Sequence, residues 1–305
     1  MHESLRSLQH NLDQALRGRP DVVRLAAAVF LAGGHLLLED VPGVGKTTLA
    51  RALAHAVGGT MGRIQFTPDL MPADLTGVTV YRAESGEFVF HPGPVFATVV
   101  VADEINRASP KTQSALLEAM QEGQVTVDGT SHALPTPFMV IATQNPFEMA
   151  GTYPLPEAQR DRFMARTAIG YPDSSDEFMV LRSGGWNPVS TPQVLGIDAA
   201  QELVAQAAQQ HVADRVHTYV LDLIRSTRSH PQVLLGASPR AGLHLIALAR
   251  AWALLAGRDH VLPDDVQAVA IAGLGHRITL AKEARLHGTD PESLLAEILA
   301  EVPVP

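Results

Sequence analysis

The segment DVPGVGKTT, residues 40–48, has the residue types and spacing of a loop that binds nucleotide phosphates. Gly43 and Gly45 let the backbone curl so that its N–H groups point inward at an anion. A helix predicted to begin at Lys46 adds free N–H groups and the positive end of its dipole. The Lys46 ammonium can reach the β- and γ-phosphates, and the Thr47 hydroxyl can bind Mg²⁺. The predicted set for ATP is Gly43, Val44, Gly45, Lys46, Thr47 and Thr48.

One position departs from the usual pattern G-x-x-x-x-G-K-[ST], because Asp40 stands where the pattern begins with glycine. The sequence leaves the effect of this change on nucleotide affinity open. Lysine is scarce, since Lys46 is one of only three lysines among 23 basic residues. A chain that otherwise uses arginine thus keeps the compact ammonium where phosphate is usually bound.

A pair of acids, Asp103 and Glu104, follows the apolar segment TVVVA, residues 98–102. A continuous run of β-branched residues is typical of an inner parallel strand, and ligands bind at the carboxyl ends of such strands. Asp103 would hold Mg²⁺ through water, and Glu104 would polarise the attacking water. Paired acids at a strand end can also cap a helix, but a neighbouring phosphate loop favours catalysis.

A third apolar segment ends in a polar residue, Asn145 of FMVIATQNP, residues 138–146. Its side chain could hydrogen-bond the γ-phosphate or the attacking water. The alternative is that Asn145 is only the turn residue of an Asn-Pro pair.

Three arginines are candidates for contact with the γ-phosphate, where added positive charge accelerates phosphoryl transfer most. Arg162, in PEAQRDRF, could act on the ATP of a neighbouring subunit, and Arg160 is the competing candidate. Arg240, in GASPRA, begins a predicted helix and could contact the γ-phosphate of its own subunit. Spacing alone supports neither assignment, because most arginines are solvated surface residues.

The elements that must position these residues alternate along the first part of the chain. We predict helices over residues 46–57 and 109–121, and strands over residues 35–39, 63–67, 98–102, 138–143 and 166–170. This alternation predicts a parallel sheet with helices on both faces. Residues 71–94 and 123–135 interrupt the order, and Asp128–Gly129 in the second predicts a β-hairpin.

The C-terminal part is predicted to be helical, after a linker or irregular crossing over residues 171–193. One buried helix face is indicated by apolar residues at steps of three and four, namely Ala241, Leu245, Leu248, Trp252 and Leu255. Pro263, followed by two acids, is typical of the first turn of another helix.

The composition excludes several other classes of protein. The net charge of −9 argues against non-specific binding to nucleic acid or anionic membranes. The absence of cysteine excludes disulfides, thiol catalysis and cysteine metal sites, and it fits a cytoplasmic location. The most apolar stretch, residues 22–38, is short and interrupted for a membrane span, so we expect a soluble protein. The 13 histidines show no metal-ligand spacing.

Nearly the whole chain resembles the MoxR family of AAA+ ATPases. The motifs that carry the resemblance are GGHLLLEDVPGVGKT, RIQFTPDLMPADLTG, ADEINRASPKTQSALLEAMQE, IATQNPFEMAGTYPLPEAQRDRF and GASPRA. The resemblance implies an α/β P-loop core over residues 1–180 and a small all-helical lid over residues 181–305. It implies that residues 71–94 include the helix-two insert and that residues 123–135 form the pre-sensor hairpin. Asn145 matches sensor one, Arg162 the arginine finger and Arg240 sensor two.

The resemblance also implies partners and a type of activity. Members of this family generally form hexameric rings and act as chaperone-like machines that mature or remodel partner proteins, often metal-dependent ones. Partners often carry a von Willebrand A domain. We therefore expect Mg²⁺-dependent ATP hydrolysis, a homo-oligomer, a von Willebrand A domain partner and a client protein.

Three other functions remain in competition. A nucleic-acid motor would need a basic and aromatic track, but residues 123–135 contain no lysine, arginine, phenylalanine, tyrosine or tryptophan. A metal-chelatase subunit would share the core and both inserts. An adaptor that binds ATP without turnover is disfavoured because Glu104, Asn145 and Arg162 are all present.

Overall fold

The computed structural model describes residues 2–41, 43–145, 151–182 and 192–305. Its strands are β1 (Leu36–Glu39), β2 (Met61–Gln65), β3 (Gly77–Arg82), β4 (Glu87–Pro92), β5 (Val99–Asp103), β6 (Gln124–Val127), β7 (Thr130–Ala133), β8 (Met139–Gln144), β9 (Ala165–Thr167), β10 (Val233–Leu235) and β11 (Thr279–Leu280). Its α-helices are α1 (His2–Ala15), α2 (Pro20–Leu31), α3 (Lys46–Ala56), α4 (Pro72–Thr76), α5 (Pro110–Glu122), α6 (Glu157–Arg160), α7 (Ser174–Arg182), α8 (Ile197–Gln209), α9 (Asp214–Ser229), α10 (Pro239–Leu255), α11 (Pro263–Leu274), α12 (Lys282–Leu286) and α13 (Pro291–Glu301).

Five parallel strands form the central sheet in the order β2-β5-β8-β1-β9. These are the five strands that the sequence predicts, with bounds that differ by up to three residues. All residues of β5 are buried, as expected of an inner parallel strand covered on both faces. The parallel sheet with flanking helices is confirmed.

Successive residues of the strands enter two separate apolar cores. Leu36 and Leu38 pack into the core formed with α1, α2, α3 and the C-terminal helices. Leu37, which points to the opposite face, packs into the core formed with α5. The strands are therefore held between helices on both sides, and this fixes the positions of their ends.

The two interruptions of the sheet order are both antiparallel hairpins. β3 pairs with β4, and β6 pairs with β7. The second hairpin turns at Asp128 and Gly129, whose φ angles are 49° and 78°. Two successive positive φ angles define the turn type that matches the twist of a hairpin, so the predicted hairpin is confirmed.

The C-terminal region is helical, as predicted, and packs directly on the core. Ala241, Leu245 and Leu248 on α10 are each 0% exposed. Trp252 is partly exposed, and the guanidinium of Arg24 on α2 lies 4.1 Å from the centre of its ring. α11 begins at Pro263, as the sequence predicts.

Two short features differ from the prediction. The helical region also contains an antiparallel ladder of β10 and β11, whose two or three residues are too few for a periodic signal. The predicted linker, residues 171–193, contains the nine-residue helix α7. Its positions 183–191 lie outside the described residues. None of the helices in the described part of the chain combines the length and apolar character needed to cross a membrane.

Two leucines of α10 provide a matched test of the packing. Leu245 is 0% exposed and Leu243 is 70% exposed. We expect Leu245→Ala to lower the free energy of unfolding by about 2–5 kcal/mol, because it leaves a cavity in the core. Leu243→Ala should change it by less than about 0.5 kcal/mol. Urea unfolding followed by circular dichroism measures both, and equal losses would contradict the described packing of α10.

Candidate active site

The predicted phosphate loop connects the end of β1 to the start of α3. Gly43 and Gly45 have φ angles of 87° and 99°, a left-handed region that favours glycine. Gly45 directly precedes α3, and no side chain caps that helix. The first N–H groups of α3 are therefore available to an anion.

The loop forms one wall of a cleft of about 320 Å³ at the carboxyl edge of the sheet. Of the predicted ATP-binding residues, Gly43, Gly45, Lys46, Thr47 and Thr48 line the cleft. Val44 does not line it but is buried in the core below, at 3% exposure. Asp103, Glu104 and Asn145 line the same cleft, so the ends of three predicted elements meet there.

Lys46 is held at the floor of this cleft by the residue at the unusual first position of the loop. Its ammonium donates a hydrogen bond of 2.8 Å to the main-chain carbonyl oxygen of Asp40. Partial burial lowers the pKa of Lys46, while the nearby charges of Asp40, Asp103 and Glu104 act in the opposite direction. The ammonium thus lies in an acidic environment from which it can turn towards an incoming phosphate.

Asp103 is buried, with 8% of its surface exposed, and two side chains hold its carboxylate. The guanidinium Nε of Arg63 lies 2.8 Å from Oδ2. The hydroxyl of Thr143 donates to Oδ1 at 3.4 Å. One oxygen thus has a strong charged partner and the other only a long hydrogen bond.

Glu104 has a backbone conformation that is rare for a residue with a side chain, with a φ of 56° and a ψ of 50°. The Thr143 hydroxyl stabilises it by accepting a hydrogen bond of 2.9 Å from the Glu104 N–H. The Glu104 Oε2 accepts from Gln65 Nε2 at 3.0 Å and from Arg107 at 2.9 Å. Strained residues that their surroundings hold in place are frequent at active sites.

Three residues that line the cleft were missed by the sequence analysis, namely Arg63, Gln65 and Thr143. β2 lies beside β5, with Gln65 opposite Asp103. Arg63 and Gln65 are two positions apart and therefore share a face. Two polar residues at period two in a strand that is otherwise apolar are the signal that could have identified them.

The residues of the cleft fit a magnesium ion bound together with nucleotide phosphates. Mg²⁺ in such sites takes one or two protein oxygen ligands, and the phosphates and water supply the rest. Thr47 offers a hydroxyl and Asp103 a carboxylate to the same cleft. No group of three or more histidine or acidic residues suited to a metal occurs within the described residues.

The arginines lie elsewhere. Arg162 and Arg240 line a separate cavity of about 180 Å³, together with residues that directly precede β1 and β9. These residues, Gly34, His35 and Met164, mark the amino edge of the parallel sheet, whereas the phosphate loop is at its carboxyl edge. β1 separates the edges by roughly 13 Å, since four residues rise about 3.3 Å each.

In this structure Arg240 therefore lines a different cavity from the phosphate loop, and its contact with the γ-phosphate of its own subunit stays a prediction. The cause is the packing of α10, whose first turn is joined to the loop before β9. Ser238, which caps α10, donates to both carboxylate oxygens of Asp161 at 3.0 and 3.1 Å. Of the competing pair, Arg162 lines the cavity with Arg240, and Arg160 does not.

A buried arginine, Arg277, holds the loop that carries Arg162. Its Nε donates to Asp161 Oδ1 at 2.8 Å, and its Nη2 donates to the Phe163 carbonyl at 2.7 Å. The same Nη2 lies 2.6 Å from Nδ1 of His244, which lines the cavity. Burial, followed by the charge of Arg277, lowers the pKa of His244 to about 4, so a neutral imidazole accepts this bond.

A second buried histidine joins the sheet to α5. His35 Nδ1 accepts from the N–H of Val140 at 3.0 Å, so Nε2 carries the proton that is donated to the Met120 carbonyl at 3.1 Å. Burial lowers the pKa of His35 to about 4. The neutral ring thus connects β8 to the C-terminal end of α5 beside the arginine cavity.

Comparisons with known proteins agree with this arrangement. Residues 35–165 match the model of the ATPase family associated with various cellular activities (AAA), and residues 225–298 match the AAA lid domain. The chain is 47% identical to protein YeaC of Bacillus subtilis, over 100% of this chain and 96% of that protein. It is 42% identical to Chaperone MoxR1 of Mycobacterium tuberculosis, over 99% of this chain and 85% of that protein. A crystal structure from Cytophaga hutchinsonii, assigned as an ATPase, has a TM-score of 0.92 and 36% identity and covers 100% of this chain and 96% of that one.

The lowered pKa of His35 predicts a loss of stability in mild acid. Between the ordinary value of 6.5 and about 4, the unfolded chain binds a proton at His35 that the folded chain excludes. The free energy of unfolding should therefore fall as pH drops from 6.5 to 4. His35→Gln should make this dependence shallower by about 1 kcal/mol per pH unit near pH 5. The exposed His217, changed to Gln, is the control, and equal slopes in all three proteins would contradict the assignment.

Proposed function

This chain belongs to the MoxR family of AAA+ ATPases, and we propose that it uses Mg²⁺-dependent ATP hydrolysis to remodel or mature a partner protein. The observation that carries the proposal is the meeting of Lys46, Thr47, Asp103, Glu104 and Asn145 in one cleft behind two left-handed glycines. A loop that only reversed the chain direction would not explain why Asp103, Glu104 and Asn145, from neighbouring strands, line the same cleft.

In the proposed mechanism, the phosphates of ATP bind to the N–H groups of the loop and of the first turn of α3. The Lys46 ammonium exchanges the carbonyl oxygen of Asp40 for phosphate oxygens. Thr47 and Asp103 would hold Mg²⁺, which neutralises developing charge on the phosphates. Asp103 would act through a metal-bound water at Oδ1, which has only a long hydrogen bond from Thr143, while Arg63 keeps its pair with Oδ2.

Glu104 is proposed to polarise the water that attacks the γ-phosphate. Gln65 and Arg107 both bond to one of its carboxylate oxygens, Oε2. These bonds fix the plane of the carboxylate and direct the other oxygen, which is the form of preorganisation that catalysis needs. Asn145, at the end of β8, would orient the water or the γ-phosphate from the opposite side.

Arg162 and Arg240 are proposed to act on the ATP of a neighbouring subunit. They line a cavity at the amino edge of the sheet, and none of its lining residues belongs to the cleft that would hold the ATP of their own subunit. Both carry positive charge, and neither makes an ion pair with a carboxylate of the described residues. A head-to-tail contact between copies would bring this charge to the next cleft, and contacts of that type form a ring where the rotation between copies closes. A hexamer is the ring size that we propose.

The two hairpins are the parts that we propose to act on a client. Phe90 on β4 and His132 on β7 stack with ring centres 3.8 Å apart, so the two inserts are in contact. Along the chain, β5 follows the first hairpin and β8 follows the second. Both strands end at the cleft that would bind ATP. We also propose that residues 1–180 form the core and residues 181–305 the lid. The proposed partner carries a von Willebrand A domain, and the proposed location is the cytoplasm.

The catalytic role of Glu104 predicts a separation of binding from turnover. Glu104→Gln keeps the volume and the hydrogen-bonding oxygen but removes the negative charge. We expect ATPase activity to fall at least tenfold, about 1.4 kcal/mol of activation free energy. Binding of a fluorescent ATP analogue should change little. The matched control is Glu118→Gln on α5, outside the cleft. Full activity in Glu104→Gln would contradict the proposal.

The placement of the arginines predicts that activity is shared between copies. Lys46→Ala and Arg162→Ala should each be inactive alone, and their equimolar mixture should regain about a quarter of wild-type activity. In a mixed ring, half of the sites keep Lys46, and half of those sites adjoin a neighbour that keeps Arg162. About a quarter of the sites therefore have both residues. The specific activity of the wild type should also rise with protein concentration.

Arg160→Ala serves as the control for that mixing experiment, because Arg160 does not line the arginine cavity. We expect it to retain much more activity than Arg162→Ala. If the Lys46→Ala and Arg162→Ala mixture stays inactive although the variants assemble together, Arg162 does not act across subunits.

A further inference from the structure

Asp40, at the position where phosphate loops usually begin with glycine, uses every one of its polar atoms. Its N–H donates to the Gln144 carbonyl of β8 at 3.0 Å, and its own carbonyl accepts from Lys46 at 2.8 Å. Its Oδ1 accepts from the N–H of Val41 at 2.8 Å. The residue is 6% exposed, so these bonds form out of contact with bulk water.

The remaining carboxylate oxygen binds a distant part of the chain. Asp40 Oδ2 accepts from the N–H of Ile169 at 2.6 Å and from the N–H of Gly170 at 2.7 Å. Gly170 has a φ of 68°, which turns the chain so that two successive N–H groups meet one oxygen. Hydrogen bonds to a carboxylate are short and are about twice as strong as neutral ones.

The segment that Asp40 holds is the exit of the chain from the central sheet. Ile169 and Gly170 follow β9, the last strand of that sheet, and lead into α7 and on towards the C-terminal helices. Arg19, which lies just before α2, also binds this exit through the carbonyl oxygen of Tyr171. The exit is thus fixed to the core by one bond set from the phosphate loop and another from the N-terminal helices.

We propose that Asp40 is a positioning residue that transmits the occupancy of the phosphate loop to the exit segment, residues 169–170. The inference rests on the proposed function, because it needs ATP in the cleft. The bond between Lys46 and the Asp40 carbonyl is the one that an arriving phosphate displaces. Its loss changes the forces on a residue whose side chain holds the exit, so nucleotide binding shifts the connection to the C-terminal helices.

The type of side chain supports this role. A glycine at position 40 would complete the usual loop pattern but could not reach Ile169 or Gly170. An asparagine has only one acceptor oxygen, and its amide N–H₂ would face N–H donors. Aspartate is the shortest side chain that can accept from Val41 on one oxygen and from two successive N–H groups on the other.

Hydrogen exchange of the full-length protein, read by mass spectrometry with and without Mg²⁺ and a non-hydrolysable ATP analogue, tests the proposal. In the wild type, the analogue should change exchange in the peptide that covers residues 168–182. In Asp40→Gly, exchange at residues 169–170 should be roughly tenfold faster without nucleotide, because the bonds that protect those N–H groups are lost. The analogue should still bind to this variant but should no longer alter that peptide.

Asp40→Asn provides the same test with the volume of the side chain preserved, and its exchange should lie between those of the wild type and Asp40→Gly. Glu177→Gln is the matched control, because Glu177 lies in the same peptide and is exposed on α7. It should leave the response to the analogue at residues 169–170 unchanged.

Two results would overturn the inference. One is a full nucleotide response of the exit segment in Asp40→Gly, and the other is a wild type that binds the analogue with no change in residues 168–182. A wild type that binds no nucleotide would contradict the proposed function itself, and the coupling with it. Analogue binding is measured separately by fluorescence, so these failures are distinguishable.

Discussion

The parallel direction of the five central strands is the constraint on which the rest of this molecule depends. Because every strand runs the same way, the residues that follow β1, β5 and β8 all meet at one edge. That edge collects the phosphate loop, Asp103, Glu104 and Asn145. The strands that place these residues contribute to apolar cores on both faces, so the positions of their ends are fixed by packing from two sides.

The same strand direction places two arginines, Arg162 and Arg240, at the opposite, amino edge of the sheet. Arg162 precedes β9, and α10 brings Arg240 beside it through the bond from Ser238 to Asp161. One copy of the chain therefore carries a cleft at one edge and an arginine pair at the other, and the proposed mechanism needs both. In the proposed ring, activity then depends on assembly, which limits turnover to copies that are in place to move a client.

The sequence predicts well what local pattern determines, such as the five strands, the Asp128–Gly129 turn and the start of α11 at Pro263. It predicts poorly what depends on the contacts between elements. Gln65 reaches Glu104 only because β2 lies beside β5 in a register that puts Gln65 opposite Asp103, and strand order has no local signal. The same limit applies to Arg240. GASPRA indicates a helix start, but the sequence has no local signal for the contact between Ser238 and Asp161, 77 residues apart, which places this helix beside the loop that carries Arg162.

The short edge strand β9 connects the two functional edges. It has three residues and, within the described residues, pairs in the sheet only with β1, while Arg166 at its centre forms ion pairs with Glu39 of β1 and Glu292 of α13. Its amino side is held by Arg277 through the carbonyl of Phe163, and its carboxyl side by Asp40 through Ile169 and Gly170. A change at the phosphate loop that moves Ile169 must either stretch the pairing with β1 or move the whole strand. In the proposed coupling, the bonds at both ends are charge-assisted, so a shift of Ile169 would pass along β9 towards the loop that carries Arg162.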